Sequence, residues 1–157
     1  MIAKVTMTLE VDLFPTILSL YDSLCEIEKF YTANKMPLTP DALTAKFMLG
    51  RATGHTRSGV KLAHKLSREG KLVYFISRNM DHSREINKLL RDFNEAETEL
   101  LRRPAGDLCI FTEHQFRGVS HQTPDLVIVD DGTDIKDVKN FFYNSNKPVK
   151  YLVLQQN

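Results

Sequence analysis

The chain has 157 residues, 42% of them hydrophobic and 26% charged, which suits one globular domain with a sizeable core and excludes a multidomain machine. Lys and Arg number 21 against 20 Asp and Glu, so the formal net charge of +1 excludes a polycation that coats nucleic acid through total charge alone. Charge-based function must come from local patterning: residues 1–45 hold three basic and six acidic side chains, whereas residues 46–71 hold seven basic ones and Glu69 alone.

In chain order, Val5, Met7, Leu9 and Val11 alternate with Lys4, Thr6, Thr8 and Glu10, a period of two that predicts a half-exposed strand. Asp12 is expected to cap a helix reaching about Asn34, because Leu13, Ile17, Leu20, Tyr21, Leu24, Ile27 and Tyr31 recur at helical spacing and Pro15 is harmless in a first turn. Pro37 and Pro40 end it, and the boundary between an N-terminal accessory element (residues 1–40) and a core (residues 41–157) is placed there. The core opens on a βαβ pattern: an apolar run Phe47–Leu49, a glycine-containing turn, a helix with Gly59, Leu62, Ala63 and Leu66 on one stripe and Gly70 at its stop, then the run Leu72–Ile76. A helix from Asp81 to about Arg102 follows, then the runs Leu108–Phe111, Leu126–Val129 and Tyr151–Leu154, with a helix Asp134–Asn144 before the last. Short apolar runs alternating with amphipathic helices predict a three-layer α/β fold around a mostly parallel five-stranded sheet.

Cys25 and Cys109 lie far apart with no CxxC spacing, which fits buried thiols in a reduced intracellular protein. No apolar run approaches the roughly 18 residues of a membrane span, and charged residues stand where a signal peptide needs an apolar stretch. A soluble, cytoplasmic protein with no membrane partner is the expectation.

Two segments carry chemistry. Gly50-Arg51-Ala52-Thr53-Gly54-His55-Thr56 joins a buried strand to a helix, an arrangement that aims backbone N–H groups and the positive end of a helix dipole at a phosphate chain, with the Thr56 hydroxyl suited to Mg²⁺. Asp125-Leu126-Val127-Ile128-Val129-Asp130-Asp131 is an apolar strand ending in two carboxylates; Asp130 there can hold the water shell of a metal and Asp131 can polarise an attacking water. The plainer alternatives stay open: a strand-to-helix turn for the first segment, and a turn with a helix cap for Asp130-Asp131-Gly132.

At these residues the chain resembles a P-loop NTPase of the RecA-like helicase and terminase kind, the first segment being similar to a Walker A motif in its terminase variant and the second to Walker B. Arg117-Gly118 resembles the Arg-Gly turn that precedes that strand in many phage terminase large subunits. The resemblance covers about residues 44–157 and implies a P-loop-type sheet, ATP and Mg²⁺ as ligands, Arg117 as a sensor of the γ-phosphate, a homo-oligomer and a viral or mobile-element origin. Three departures stand out: Leu49 replaces the first glycine, His55 replaces the lysine and so removes a fixed positive charge from the β/γ-phosphate position, and Asp131 replaces the usual glutamate. Arg51 and Arg57 flank the loop and offer a substitute charge; His55 itself suits an anion ligand, a stacking ring or a cap.

A further stripe is basic. Arg57, Lys61, His64, Lys65 and Arg68 follow one helical face opposite the apolar one, suited to a nucleic-acid backbone, an acidic protein or solvent alone. His82, His114 and His121 show no paired spacing with each other or with acidic residues, so no structural metal is expected. The preferred reading is a degenerate P-loop NTPase-like protein that binds a partner, whether nucleic acid, a larger ATPase or a host protein it regulates. The alternative is an active Mg²⁺-dependent ATPase acting on DNA, and His55 is the residue that separates them.

Overall fold

A computed structural model describes residues 13–49, 55–77, 79–96, 108–112, 115–116, 122–130, 135–142 and 147–156. Helix α1 runs Phe14–Ala33 and buries Ile17, Tyr21 and Leu24, spaced by four and three as one helix face requires. Leu13, ahead of it, already has helical backbone angles and makes no side-chain cap, and Pro15 sits in the first turn with a preset φ and no N–H to satisfy. Asp12 and the expected strand over residues 5–11 lie outside the described residues. The Asn34 side chain closes the helix on the Phe30 carbonyl at 2.8 Å. Thr39 then caps a 3₁₀ turn, Pro40–Leu43, which leads directly into strand β1, Thr44–Leu49. The strand therefore begins ahead of its apolar run, because backbone pairing of Thr44 with Tyr151 does not depend on an apolar side chain.

Helix α2 (His55–Arg68) ends at Gly70, whose φ of +85° is the left-handed geometry that glycine adopts without strain. Strand β2 (Val73–Ser77), helix α3 (Met80–Ala96), strand β3 (Leu108–Thr112), strand β4 (Leu126–Val129), helix α4 (Ile135–Phe141) and strand β5 (Lys150–Gln156) follow. The expected extension of α3 to Arg102 lies outside the described residues. The strands stand side by side in the order β1-β5-β4-β2-β3, and every pairing is parallel.

Uniformly apolar strands alternate faces. Val73, Phe75, Leu126, Ile128, Leu152 and Leu154 pack with Ile17 and Tyr21 of α1, Val60, Leu62 and Leu66 of α2, and Ile86 of α3. Tyr74, Ile76, Val127, Val129 and Tyr151 pack on the other face with Val138 of α4, Phe116 and Phe142. Burying both faces is what selects continuous Val/Ile/Leu/Phe runs over alternating ones. Gly59 lets α2 lie close on the sheet, since a Cβ there would stand 2.7 Å from Leu154 Cδ1.

The amino edge of the sheet is tied by charge. Asp125 accepts the Leu72 backbone N–H at 2.9 Å on one oxygen and the Lys147 ammonium at 3.1 Å on the other, while Lys150 pairs with Glu28 of α1. Burial pushes the Asp125 carboxyl up, but the Leu72 N–H together with Lys147 and Lys150 outweighs it and leaves the group below the usual carboxylate range. Lys71 donates to the buried Tyr21 hydroxyl at 3.1 Å and joins α1 to the same edge.

Candidate functional site

Parallel strands put all their carboxyl ends on one edge, and of the residues singled out by sequence, Asp130 follows the carboxyl end of β4 while His55 and Thr56 begin the helix that follows β1. β1 feeds α2 through residues 50–54, and β5 alone separates β1 from β4, whose end is followed by Asp130. The crossover from β4 passes over one face through α4 and the crossover from β2 passes over the other through α3, so the ends of β4 and β2 form a topological switch point, where α/β sheets bind ligands.

Of the expected phosphate cradle, Gly50, Arg51, Ala52, Thr53 and Gly54 lie outside the described residues, and His55 is the first residue of α2. Thr56 sits half-buried in the first turn of that helix. Asp131 and Arg117, expected as the water-orienting carboxylate and the γ-phosphate sensor, lie outside the described residues as well. Asp130 is placed plainly: its backbone N–H donates to the Ile76 carbonyl at 2.9 Å, extending the β4–β2 ladder, and the residue is only 2% exposed.

The Asp130 carboxylate is not turned to solvent. Its Oδ2 meets Nε2 of His82, in the first turn of α3, and the other ring nitrogen, Nδ1, faces Glu85 Oε2 at 3.2 Å. His82 is itself 8% exposed, whereas Glu85 stands on the surface. The first turn of α3 is fixed in several ways. Asn79 caps it by accepting the His82 backbone N–H on Oδ1 at 2.9 Å. Ser77, at the end of β2, bonds to Ser83 and donates to the Asn79 carbonyl at 3.1 Å. Asn87 donates to the Ser83 carbonyl at 3.0 Å. Beyond β3, Thr112 and Gln115 bond reciprocally, backbone N–H to side-chain oxygen in both directions, and the Gln115 amide reaches Met80 Sδ at 3.5 Å.

This arrangement corrects one expectation. His82 does have acidic partners: Glu85 at i+3, legible in the sequence, and Asp130 through the fold, which no local spacing announces. It also bears on the divalent cation implied for this edge. A cation ligand needs an accessible oxygen, and the Asp130 oxygen that would serve is buried against a histidine nitrogen, so this carboxylate as placed does not fit a Mg²⁺ site. Among the described residues, no group of three or more His, Cys, Asp or Glu side chains is gathered to hold a metal ion.

The basic stripe of α2 changes character in the fold. Arg57, Lys61 and Lys65 are exposed, but His64 is 7% exposed and belongs to the covered side, a correction to the single solvated face expected. The reason is that α1 and α3 pack along both flanks of α2 and narrow its open arc. Lys61 Nζ lies 4.4 Å from the centre of the Phe14 ring, Lys65 pairs with Glu69 one turn on, and Arg68 Nε donates to His64 Nε2 at 3.5 Å. Tyr74, Phe116 and Phe142 form a buried aromatic cluster, with Phe116 and Phe142 5.9 Å apart, so none of them offers a face to a base.

No helix among the described residues is long and apolar enough to cross a membrane. No protein family matches the chain, and no curated protein matches it.

Proposed function

We propose that the chain is a degenerate P-loop NTPase-like domain that holds the phosphates of a nucleotide at the carboxyl edge of its sheet and acts as a partner-binding module without turnover. The observation that carries this reading is Asp130: a buried carboxylate at the end of β4, one strand away from the β1–α2 connection and already paired with His82. The order of elements supports a phosphate site, because a glycine-containing connection leads from a parallel strand straight into the N-terminus of α2, where the helix dipole favours an anion. The site chemistry supports binding over hydrolysis. His55 stands where the catalytic lysine charge is expected, and a carboxylate held by a histidine does not organise a metal and its water. The exposed Arg57 and Lys61 of α2 would meet the acidic surface of the partner, nucleic acid or protein.

Calorimetry tests the reading with ATP on the full chain. Wild type is expected to bind ATP without measurable phosphate release, and His55→Lys to bind it about tenfold more tightly by restoring the fixed charge. Phosphate release by wild type that Asp130→Ala abolishes would establish the active ATPase instead. Failure of both wild type and His55→Lys to bind ATP would remove the phosphate site.

A further inference from the structure

We propose that His82 takes the place of a divalent cation at Asp130, so that the carboxyl edge is closed to Mg²⁺ and any phosphate binding there is metal-independent. The relevance to phosphate rests on the reading of that edge given above; the exclusion of the metal rests on His82 and Asp130 alone. A carboxylate at the end of a buried strand must be compensated, and a metal ion or a polar protein group can stand against it. The chain supplies the second. His82 Nε2 faces Asp130 Oδ2, and both residues are more than nine-tenths buried, so a hydrated cation reaching that oxygen must first displace the ring.

Displacement is opposed from four directions. Asn79 fixes the His82 backbone, Ser83 ties the next residue to the end of β2, Glu85 faces the far nitrogen of the ring, and Ile86, fully buried, anchors the following turn in the core. The backbone that carries the imidazole is therefore held in place, and a cation has to turn the buried ring itself aside. The ring fills the place where a metal would sit, but it has no open coordination position and no hydration shell to offer. Both differences point to a site that positions and does not activate a nucleophile.

Mn²⁺, followed by its paramagnetic resonance, is the probe. Wild type and Asp130→Asn are expected to bind Mn²⁺ equally weakly, His82→Gln to bind it about tenfold more tightly than wild type, and the double variant His82→Gln/Asp130→Asn to fall back to the wild-type level. A tenfold loss of Mn²⁺ affinity in Asp130→Asn relative to wild type would overturn the proposal, as would a folded His82→Gln whose affinity equals that of wild type. If His82→Gln loses its circular dichroism signal, the comparison of wild type with Asp130→Asn still decides. ATP titration in the presence of EDTA keeps the two readings apart: absence of ATP binding retires the phosphate site, while the Mn²⁺ comparison answers for His82 regardless.

Discussion

The Asp125 carboxylate reaches past its own strand to accept the backbone N–H of Leu72 at 2.9 Å, while the Asp125 backbone N–H donates to the Leu72 carbonyl at 2.9 Å, so the two residues close the amino end of the β2–β4 pair in both directions. The same group takes the Lys147 ammonium that precedes β5, so one residue ties three segments. Asp125→Ala should destabilise the fold by about 1–2 kcal/mol at neutral pH, the range of a partly screened hydrogen bond to a charged group. The folded-state pKa is depressed, so this stabilisation is full above the unfolded value of about 3.9 and is lost as pH falls through the folded value. Urea unfolding at neutral pH and in acid should show the gap between wild type and variant narrowing below about pH 4. A constant gap would locate the contribution in packing.

The contact of Gly59 with the sheet sets a second expectation. A Cβ would meet Leu154 Cδ1 at 2.7 Å and Phe75 Cε2 at 3.6 Å, and both side chains are fully buried. Alanine recovers up to about 1 kcal/mol of helix propensity against an overpacking cost of about 1–3 kcal/mol, so Gly59→Ala should be neutral to mildly destabilising. Gly59→Val, which adds branching, should lose about 3 kcal/mol. Thermal unfolding measures both, and a Val variant as stable as wild type would mean that α2 shifts freely over the sheet.

Gly70 separates backbone strain from packing. Its φ is +85°, yet nothing lies within 4 Å of an added Cβ, so the cost of Gly70→Ala is conformational alone, about 1–2 kcal/mol. Gly70→Asn should recover part of that loss, because asparagine tolerates the left-handed region. Equal losses for Ala and Asn in chemical denaturation would contradict the assignment.

For His82 and Asp130, replacing His82 by alanine removes the group that faces the buried Asp130 carboxylate and should cost about 3–5 kcal/mol. Replacing both with apolar residues of similar volume should cost less than either single change, giving a coupling of several kcal/mol in a double-mutant cycle. Additive losses would show that the two groups are compensated separately.

Much of the fold is legible in the sequence because it is local. The apolar runs that become β2, β4 and β5 are uniformly Val, Ile, Leu, Phe or Tyr, and Gly70 marks the end of α2. The beginning of β1 was hidden because Thr44, Ala45 and Lys46 join the strand by pairing with β5, a partner far along the chain. The burial of His64 was hidden for a related reason: an isolated helix shows a basic face, and only the placement of α1 and α3 decides how much of it meets water. At the carboxyl edge, sequence identified Asp130 by its position after an apolar run, but not that it is buried against a ring. His82-x-x-Glu85 offered half of that answer; the other half depends on α3 starting beside β4, which the sheet order alone determines.

The place of β5 in the sheet has a consequence for how the molecule is made. β5 is the last described strand in chain order, yet it is inserted between β1 and β4, and β1 has no other described neighbour in the sheet. During vectorial synthesis β2, β3 and β4 can assemble as they leave the ribosome, whereas β1, made before them, meets its described neighbour only once Lys150–Gln156 has emerged. The order of synthesis therefore differs from the order in the sheet, and the pairing of β1 with β5 depends on a segment made about a hundred residues later.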